Sequence, residues 1–134
     1  MIFVDASAIV AILTVEPESP ALVSALEASE TRRTSALAVF EAVLAICRKR
    51  SMTVETASES VADFLTTAEI VVEPIEDLHA NLALAAHERY GKGRGHPAGL
   101  NMGDCFAYAM AKSLGAALLC KGDDFVHTDI RIAG

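Results

Sequence analysis

The stretch Met1-Ile2-Phe3-Val4-Asp5-Ala6-Ser7-Ala8-Ile9-Val10 decides how the rest of the chain is read. Its apolar residues suit a buried strand followed at once by a helix, yet a carboxylate stands at the junction. An ionised aspartate in a strand bound for the core is costly unless a metal or a paired cation neutralises it. Asp5 therefore marks a site as well as a strand end. Ser7 fits the N-cap of a helix running through Ala8 to Leu13.

Strands and helices alternate outward from this start. Pro20 suits the first turn of a second helix carrying Leu22, Val23 and Leu26. Arg33 to Ala36 predicts a short strand. From Leu37 to Arg50 the apolar positions Val39, Phe40, Val43, Leu44, Ile46 and Cys47 recur at helical spacing, and Arg48-Lys49-Arg50 complements the helix C-terminus. Thr53 opens a helix with Val54, Ala57, Val61, Phe64 and Leu65 inward and Glu55, Glu59 and Asp63 on a solvated face. Glu69 to Glu73 reads as a strand stopped by Pro74, and Asp77 as the cap of a helix through Leu78, Leu82 and Leu84.

Residues 91–100 hold four glycines and a proline, a loop signature. Asn101 caps a helix from Met102 to Leu114 with Gly115 as its stop, Ala116 to Cys120 is a buried strand, and Gly122-Asp123-Asp124-Phe125 turns at its carboxyl end. Such alternation predicts an α/β fold with a parallel sheet wrapped by helices. Ligands of such sheets bind outside the strand carboxyl ends, where Asp5 and the Asp123-Asp124 pair both fall.

With 134 residues, 52% of them hydrophobic, the chain has room for one core, so a single domain over 1–134 is expected. With no Trp, five Phe and two Tyr, that core is built from aliphatic side chains. The N-terminal apolar run is too short for a bilayer and follows no basic residue, which predicts neither signal peptide nor membrane helix and implies cytoplasmic residence. Cys47, Cys105 and Cys120 read as reduced core thiols.

The net charge of −7 argues against a broad basic nucleic-acid face. It leaves a nucleic-acid substrate open, because carboxylates that hold divalent cations attract phosphate. Local cations remain in Arg48-Lys49-Arg50 and in the segment from Arg89 through Arg94 to His96. His79, His87, His96 and His127 lack ligand spacing and read as helix-surface or loop residues, with His96 alone a candidate for substrate contact. Lys121, beside the acidic turn, is a counter-charge or a phosphate contact.

Four acidic positions thus come from four elements: Asp5, Glu41, Asp104 at a helix start, and Asp123 or Asp124. Taken alone, Asp104 also fits a plain first-turn acid, Glu41 a solvated helix residue and Asp123-Asp124 an ordinary turn. The ordered set Phe3-Val4-Asp5-Ala6-Ser7, Phe40-Glu41, Asn101-Met102-Gly103-Asp104-Cys105-Phe106-Ala107 and Lys121-Gly122-Asp123-Asp124-Phe125 resembles the PIN-domain ribonucleases of the VapC toxin type along the whole chain.

That resemblance implies a PIN-like three-layer α/β/α fold with a short, mostly parallel sheet, and a Mg²⁺- or Mn²⁺-dependent endoribonuclease. It places Asp5 and Asp104 as main metal ligands and Glu41 as the middle acid. Many relatives carry Asp where this chain has Gly122, which leaves the fourth acid open between Asp123 and Asp124. The implied partners are RNA, a VapB-type antitoxin that blocks the acidic groove, and a second copy in a homodimer within a larger toxin–antitoxin assembly. Apolar faces around Ile9 to Leu13 and Leu37 to Ile46 are the candidates for the antitoxin groove.

Hard carboxylate oxygens are what Mg²⁺ requires, with Ser7 holding a carboxylate or the substrate phosphate. Other readings fit less well. A haloacid-dehalogenase-like phosphatase needs a second acid where Ser7 stands, a receiver domain needs an acidic pair at the first strand, and a non-catalytic PIN-like binding module would tolerate loss of acids that this chain keeps.

Overall fold

The computed structural model describes residues 1–134. Four parallel strands lie in the order β3-β2-β1-β4: β1 (Ile2–Val4), β2 (Arg32–Ser35), β3 (Ile70–Glu73) and β4 (Ala117–Leu119). Between them run α1 (Ala6–Leu13), α2 (Ser19–Glu27), α3 (Ala36–Arg50), α4 (Val54–Thr67), α5 (Asp77–Tyr90) and α6 (Met102–Leu114). Register pairs Ile2 with Arg32 on one side and with Ala117 on the other. The chain moves outward from β1 through β2 to β3 and then returns to place β4 on β1's free edge, so the order reverses at β1. A crevice opens at the carboxyl ends beside such a reversal.

Alternation along β1 and β4 divides the core into two halves and gives the three layers. Ile2, Val4, Ala117 and Leu119 face one side, packed with α1 to α4 through Ile9, Leu22, Leu26, Ala42, Ile46 and Val61. Phe3 and Leu118 face the other, against α5 and α6 through Ala83, Ala86, Cys105, Ala109 and Met110. Small residues predominate on the buried faces of α5 and α6, which lets those helices approach closely.

Several expectations shift by a residue or a face. Asp5, not Ser7, caps α1: its Oδ2 accepts from the Ser7 amide at 3.1 Å, because the helix begins immediately after the strand. Helix α5 begins at Asp77 with Glu76 as its cap, and Glu76's amide donates to His79 Nδ1 at 2.8 Å. His79 is accordingly buried rather than surface-lying, and its Nε2 meets Ser113 Oγ at 3.1 Å. An acceptor role at Nδ1 places the ring proton on Nε2, which then donates to the serine. On α3 the core face is Ala38, Ala42, Val43 and Ile46, while Phe40 and Leu44 point to solvent. The three cysteines are free, Cys105 buried and the others partly so.

Asn101 caps α6, Thr53 caps α4 and Gly115 ends α6 in the left-handed region, as the sequence predicts. Ser35 caps α3 directly from the end of β2, accepting from Ala38's amide at 3.1 Å. Thr34 beside it donates to the Val4 carbonyl at 2.8 Å, satisfying a buried acceptor beyond the last residue pair of the β1–β2 ladder.

Candidate active site

Asp5 sits at the carboxyl end of β1, only 5% exposed, with its amide continuing the β1–β4 ladder to the Leu119 carbonyl at 2.9 Å. Its Oδ2 accepts from Ser7 Oγ at 2.6 Å. Ser7 Oγ in turn accepts from the Lys121 amide at 3.0 Å, so one hydroxyl ties the end of β1 to the turn after β4. Burial raises the Asp5 carboxyl above its ordinary range, against the pull of the Ser7 and Ala6 groups.

Asp104 lies in the first turn of α6 and forms a reciprocal capping box with Asn101. Its Oδ2 accepts from the Asn101 amide at 3.1 Å, while its own amide donates to Asn101 Oδ1 at 2.8 Å. A capping acid at a helix N-terminus normally ionises easily. Here burial, with repulsion from Asp5 and Asp124, pushes Asp104 up to about 6. Glu41, on the second turn of α3, is pushed up to about 7 by burial first and then by Asp5 and Asp104. Its carboxylate lies against Gly103, where helix α6 offers no side chain.

Asp5 and Asp104 thus raise Glu41, and Asp5 raises Asp104, which puts three acids from α3, α6 and the end of β1 in one neighbourhood. Asp124 joins them through the short 3₁₀ turn Asp124–His127, since its charge acts on Asp104 and on Cys120. Asp123 caps that turn, and its charge is not among those acting on these groups. Gly122, where a family aspartate was expected, has φ +101, a conformation that strains any side-chain-bearing residue. Cys120 is pushed up to about 12 by burial and by the same acids, so its thiol stays protonated at neutral pH.

Arg94 and His96 belong to the loop after α5. His96 Nδ1 accepts from the Ala98 amide at 3.1 Å and its ring meets Tyr90 edge-on at 5.0 Å, contacts that hold the loop rather than the acids. Lys121 projects from beside Ser7 and pairs with Glu16. The sequence reading gave no separate role to Glu16 or to Gly103, although it read Cys120 as the free thiol it is. A glycine at the second position of a helix start is the one signal that could have singled out Gly103. An apolar cleft of about 450 Å³ between α5 and α6, lined by Ala83, Leu84, Leu100, Met102, Cys105 and Phe106, carries no carboxylate, although Asn101 at its edge is the capping partner of Asp104.

No group of three or more Asp, Glu, His or Cys side chains is closed to metal-ligation geometry. The donor chemistry of the carboxylates nonetheless suits a hard divalent cation, and burial first, then the neighbouring acids, raises the proton affinity of Glu41 and Asp104. No polar side-chain atom is both sealed and unpartnered, so the carboxylate oxygens without protein donors stay open to the cleft.

The PIN domain model matches residues 2–131. Ribonuclease VapC28 of Mycobacterium tuberculosis is 42% identical over 130 residues, covering 97% of this chain and 96% of that protein. Ribonuclease VapC42 of the same species is 44% identical over 130 residues, covering 97% of each. The crystal structure of Mycobacterium tuberculosis VapC20, a Sarcin-Ricin loop cleaving toxin, superposes over all of both chains with a TM-score of 0.68 at 18% identity, which speaks for the fold. Sequence likeness along nearly the whole chain and the shared fold agree: this chain belongs to the PIN-domain family, among its VapC ribonucleases.

Proposed function

We propose that residues 1–134 form a single-domain, Mg²⁺- or Mn²⁺-dependent endoribonuclease, the toxin of a VapBC-type pair acting in the cytoplasm. The observation that carries this reading is the gathering of Asp5, Glu41 and Asp104 at the carboxyl end of β1, with the Glu41 carboxylate packed against Gly103 beside Asp104 and raised by both aspartates. Asp5 and Asp104 would hold the ion directly, with Glu41 completing the set. The fourth acid is Asp124 rather than Asp123, because Asp124 acts on Asp104. A bound divalent ion supplies charge stabilisation on the phosphoryl oxygens and acidifies water.

The protein's own groups do the rest. In hydrolysis a water oxygen bonds to phosphorus as the ribose oxygen leaves, and the attacking water must lose a proton. Glu41, facing Asp5 and Asp104 across the site, is the carboxylate placed to receive it, while the leaving ribose oxygen takes a proton from solvent. Ser7 keeps Asp5 oriented through the 2.6 Å hydrogen bond and leaves its lone pair on the Lys121 amide, so it acts by positioning. Phe40 and Leu44, exposed on the helix that carries Glu41, offer an antitoxin an apolar hold beside the acids. Leu84 and Met102, exposed beside the α5–α6 cleft, offer one for a homodimer.

The test is incubation of purified, antitoxin-free protein with total RNA in Mn²⁺, in EDTA, and as Asp5→Ala. Discrete metal-dependent fragments that vanish in the variant are expected. Equal cleavage by Asp5→Ala, or none by folded protein at any metal level, would sink the proposal.

A further inference from the structure

Beside the acids lies a groove of about 260 Å³ lined by Ser7 and Glu41 of the site together with Glu16, Arg48, Lys49 and Lys121. Glu16 joins the two lysines: Oε1 accepts from Lys49 Nζ and Oε2 from Lys121 Nζ. Its side chain is only 13% exposed, whereas those of Lys49 and Lys121 keep 48% and 37%. The carboxylate is therefore the floor and the ammonium groups the rim, each with donors to spare. Glu18 approaches Lys121 at 3.8 Å, and Arg48 has no ion-pair partner. Three cations face three carboxylates, Glu16, Glu18 and Glu41, so the groove is balanced in charge, with the ammonium groups of Lys49 and Lys121 on its exposed rim.

Glu16 is placed by backbone, not by chance. Helix α1 ends in a Schellman turn, with the Glu16 amide on the Ala11 carbonyl at 2.9 Å and the Val15 amide on that of Ile12 at 3.2 Å. This turn holds Val15 at φ +53, a conformation that a β-branched residue rarely adopts. Strain of this kind persists where the surroundings enforce it, often near functional sites. Lys121 is fixed at its other end, its amide bonded to the serine that orients Asp5.

We propose that Lys49 and Lys121, bridged by Glu16, form a second phosphate-binding position for the RNA strand. This rests on the ribonuclease reading and extends it to a point roughly 12 Å along α3 from Glu41. Glu16 is a positioning residue: it offsets the repulsion between two neighbouring ammonium groups and restrains side chains that would otherwise lose entropy on binding. RNA is the occupant because the groove is continuous with the site that would hold the scissile phosphate.

The experiment measures binding of a short end-labelled oligoribonucleotide by anisotropy in EDTA across a salt series, together with steady-state cleavage in Mn²⁺. Lys49→Ala/Lys121→Ala should weaken binding about tenfold, raise KM with kcat little changed, and lower the log–log salt slope by about 0.7, the loss of one neutralised phosphate. Glu16→Gln should weaken binding as well, although it removes a negative charge, while Glu18→Gln should not. Tighter binding by Glu16→Gln would overturn the bridging role and make that carboxylate a competitor of phosphate. Should Glu16→Gln fail to fold, the double lysine variant still decides. An unchanged affinity and salt slope in the double variant would overturn the site, and a simultaneous loss of antitoxin capture would assign the lysines to a protein partner. Wild type that binds RNA through these lysines but cuts none would sink the nuclease reading alone.

Discussion

The carboxylate of Glu41 fills the space that a side chain on Gly103 would need: a Cβ built there would lie 2.5 Å from Glu41 Cδ. Helix α6 is thus open at its second residue so that α3 can deliver an acid against its N-terminal turn. Gly103→Ala should push the Glu41 carboxylate aside, because a flexible side chain yields before backbone does. Alanine also favours the helix by about 0.5–1 kcal/mol. Cleavage should fall about a hundredfold, as for a misplaced catalytic group, while stability holds or rises. Denaturant melts run beside rate measurements check this, and full activity would show that Glu41 acts from elsewhere.

Asp5→Asn keeps the shape that accepts from Ser7 but removes a charge whose burial is unfavourable. The metal-free variant should melt higher than metal-free wild type, and Mn²⁺ should no longer raise its Tm. Thermal shift with and without Mn²⁺ reads both effects at once. A metal-induced shift equal to that of wild type would remove Asp5 from the ligand set.

Glu41 rises from 4.5 to about 7 and Asp104 from 3.8 to about 6 on folding. Folded-state values above the unfolded ones mean that the native state binds more protons between them. The metal-free protein should therefore lose stability, on the order of a few kcal/mol, as pH rises from about 4 to 7, with no such penalty below that window. Saturating Mn²⁺ should flatten the slope. Chemical denaturation in EDTA across this range measures it, and a rising stability would contradict the electrostatics.

The opposite sign governs Asp129, held down to about 2 chiefly by the Tyr108 hydroxyl at 2.5 Å, with Lys112 at 2.9 Å. Its contribution is present above pH 4 and lost as pH falls toward 2. Asp129→Asn should destabilise by about 1 kcal/mol at neutral pH, since the carboxylate is partly solvated, and should steepen no other part of the profile.

Val15→Gly should stabilise by about 1 kcal/mol, since glycine accepts the left-handed turn that closes α1 and the valine side chain is 77% exposed, with little packing to lose. Urea midpoints of the two proteins test it; a lower midpoint would mean that the valine makes contacts outweighing its strain.

What could be read in advance followed local rules. Strand β1, the cap at Asn101 and the stop at Gly115 were legible because cap chemistry and hydrophobic runs act within a few residues. Phe40 and Leu44 matched a helical stripe, yet the buried stripe runs through Ala38 and Ala42, because close approach to α1 and the sheet selects small side chains. The proposal of Asp124 over Asp123 rests on the 3₁₀ turn that separates the two, which no pattern announces. Glu16 was illegible for a different reason: its partners Lys49 and Lys121 lie 33 and 105 residues away.

The pairing of Ile2 with Ala117 has a consequence for the timing of synthesis. Strand β1 leaves the ribosome first but gains its β4 neighbour only after residues 117–119 emerge, and Asp124 follows later still. Such a long-range closure is slow compared with helix formation. A nascent chain would therefore carry Asp5 for most of its translation without the acids that gather around it in the folded protein, so the site comes together only once nearly the whole molecule has been made.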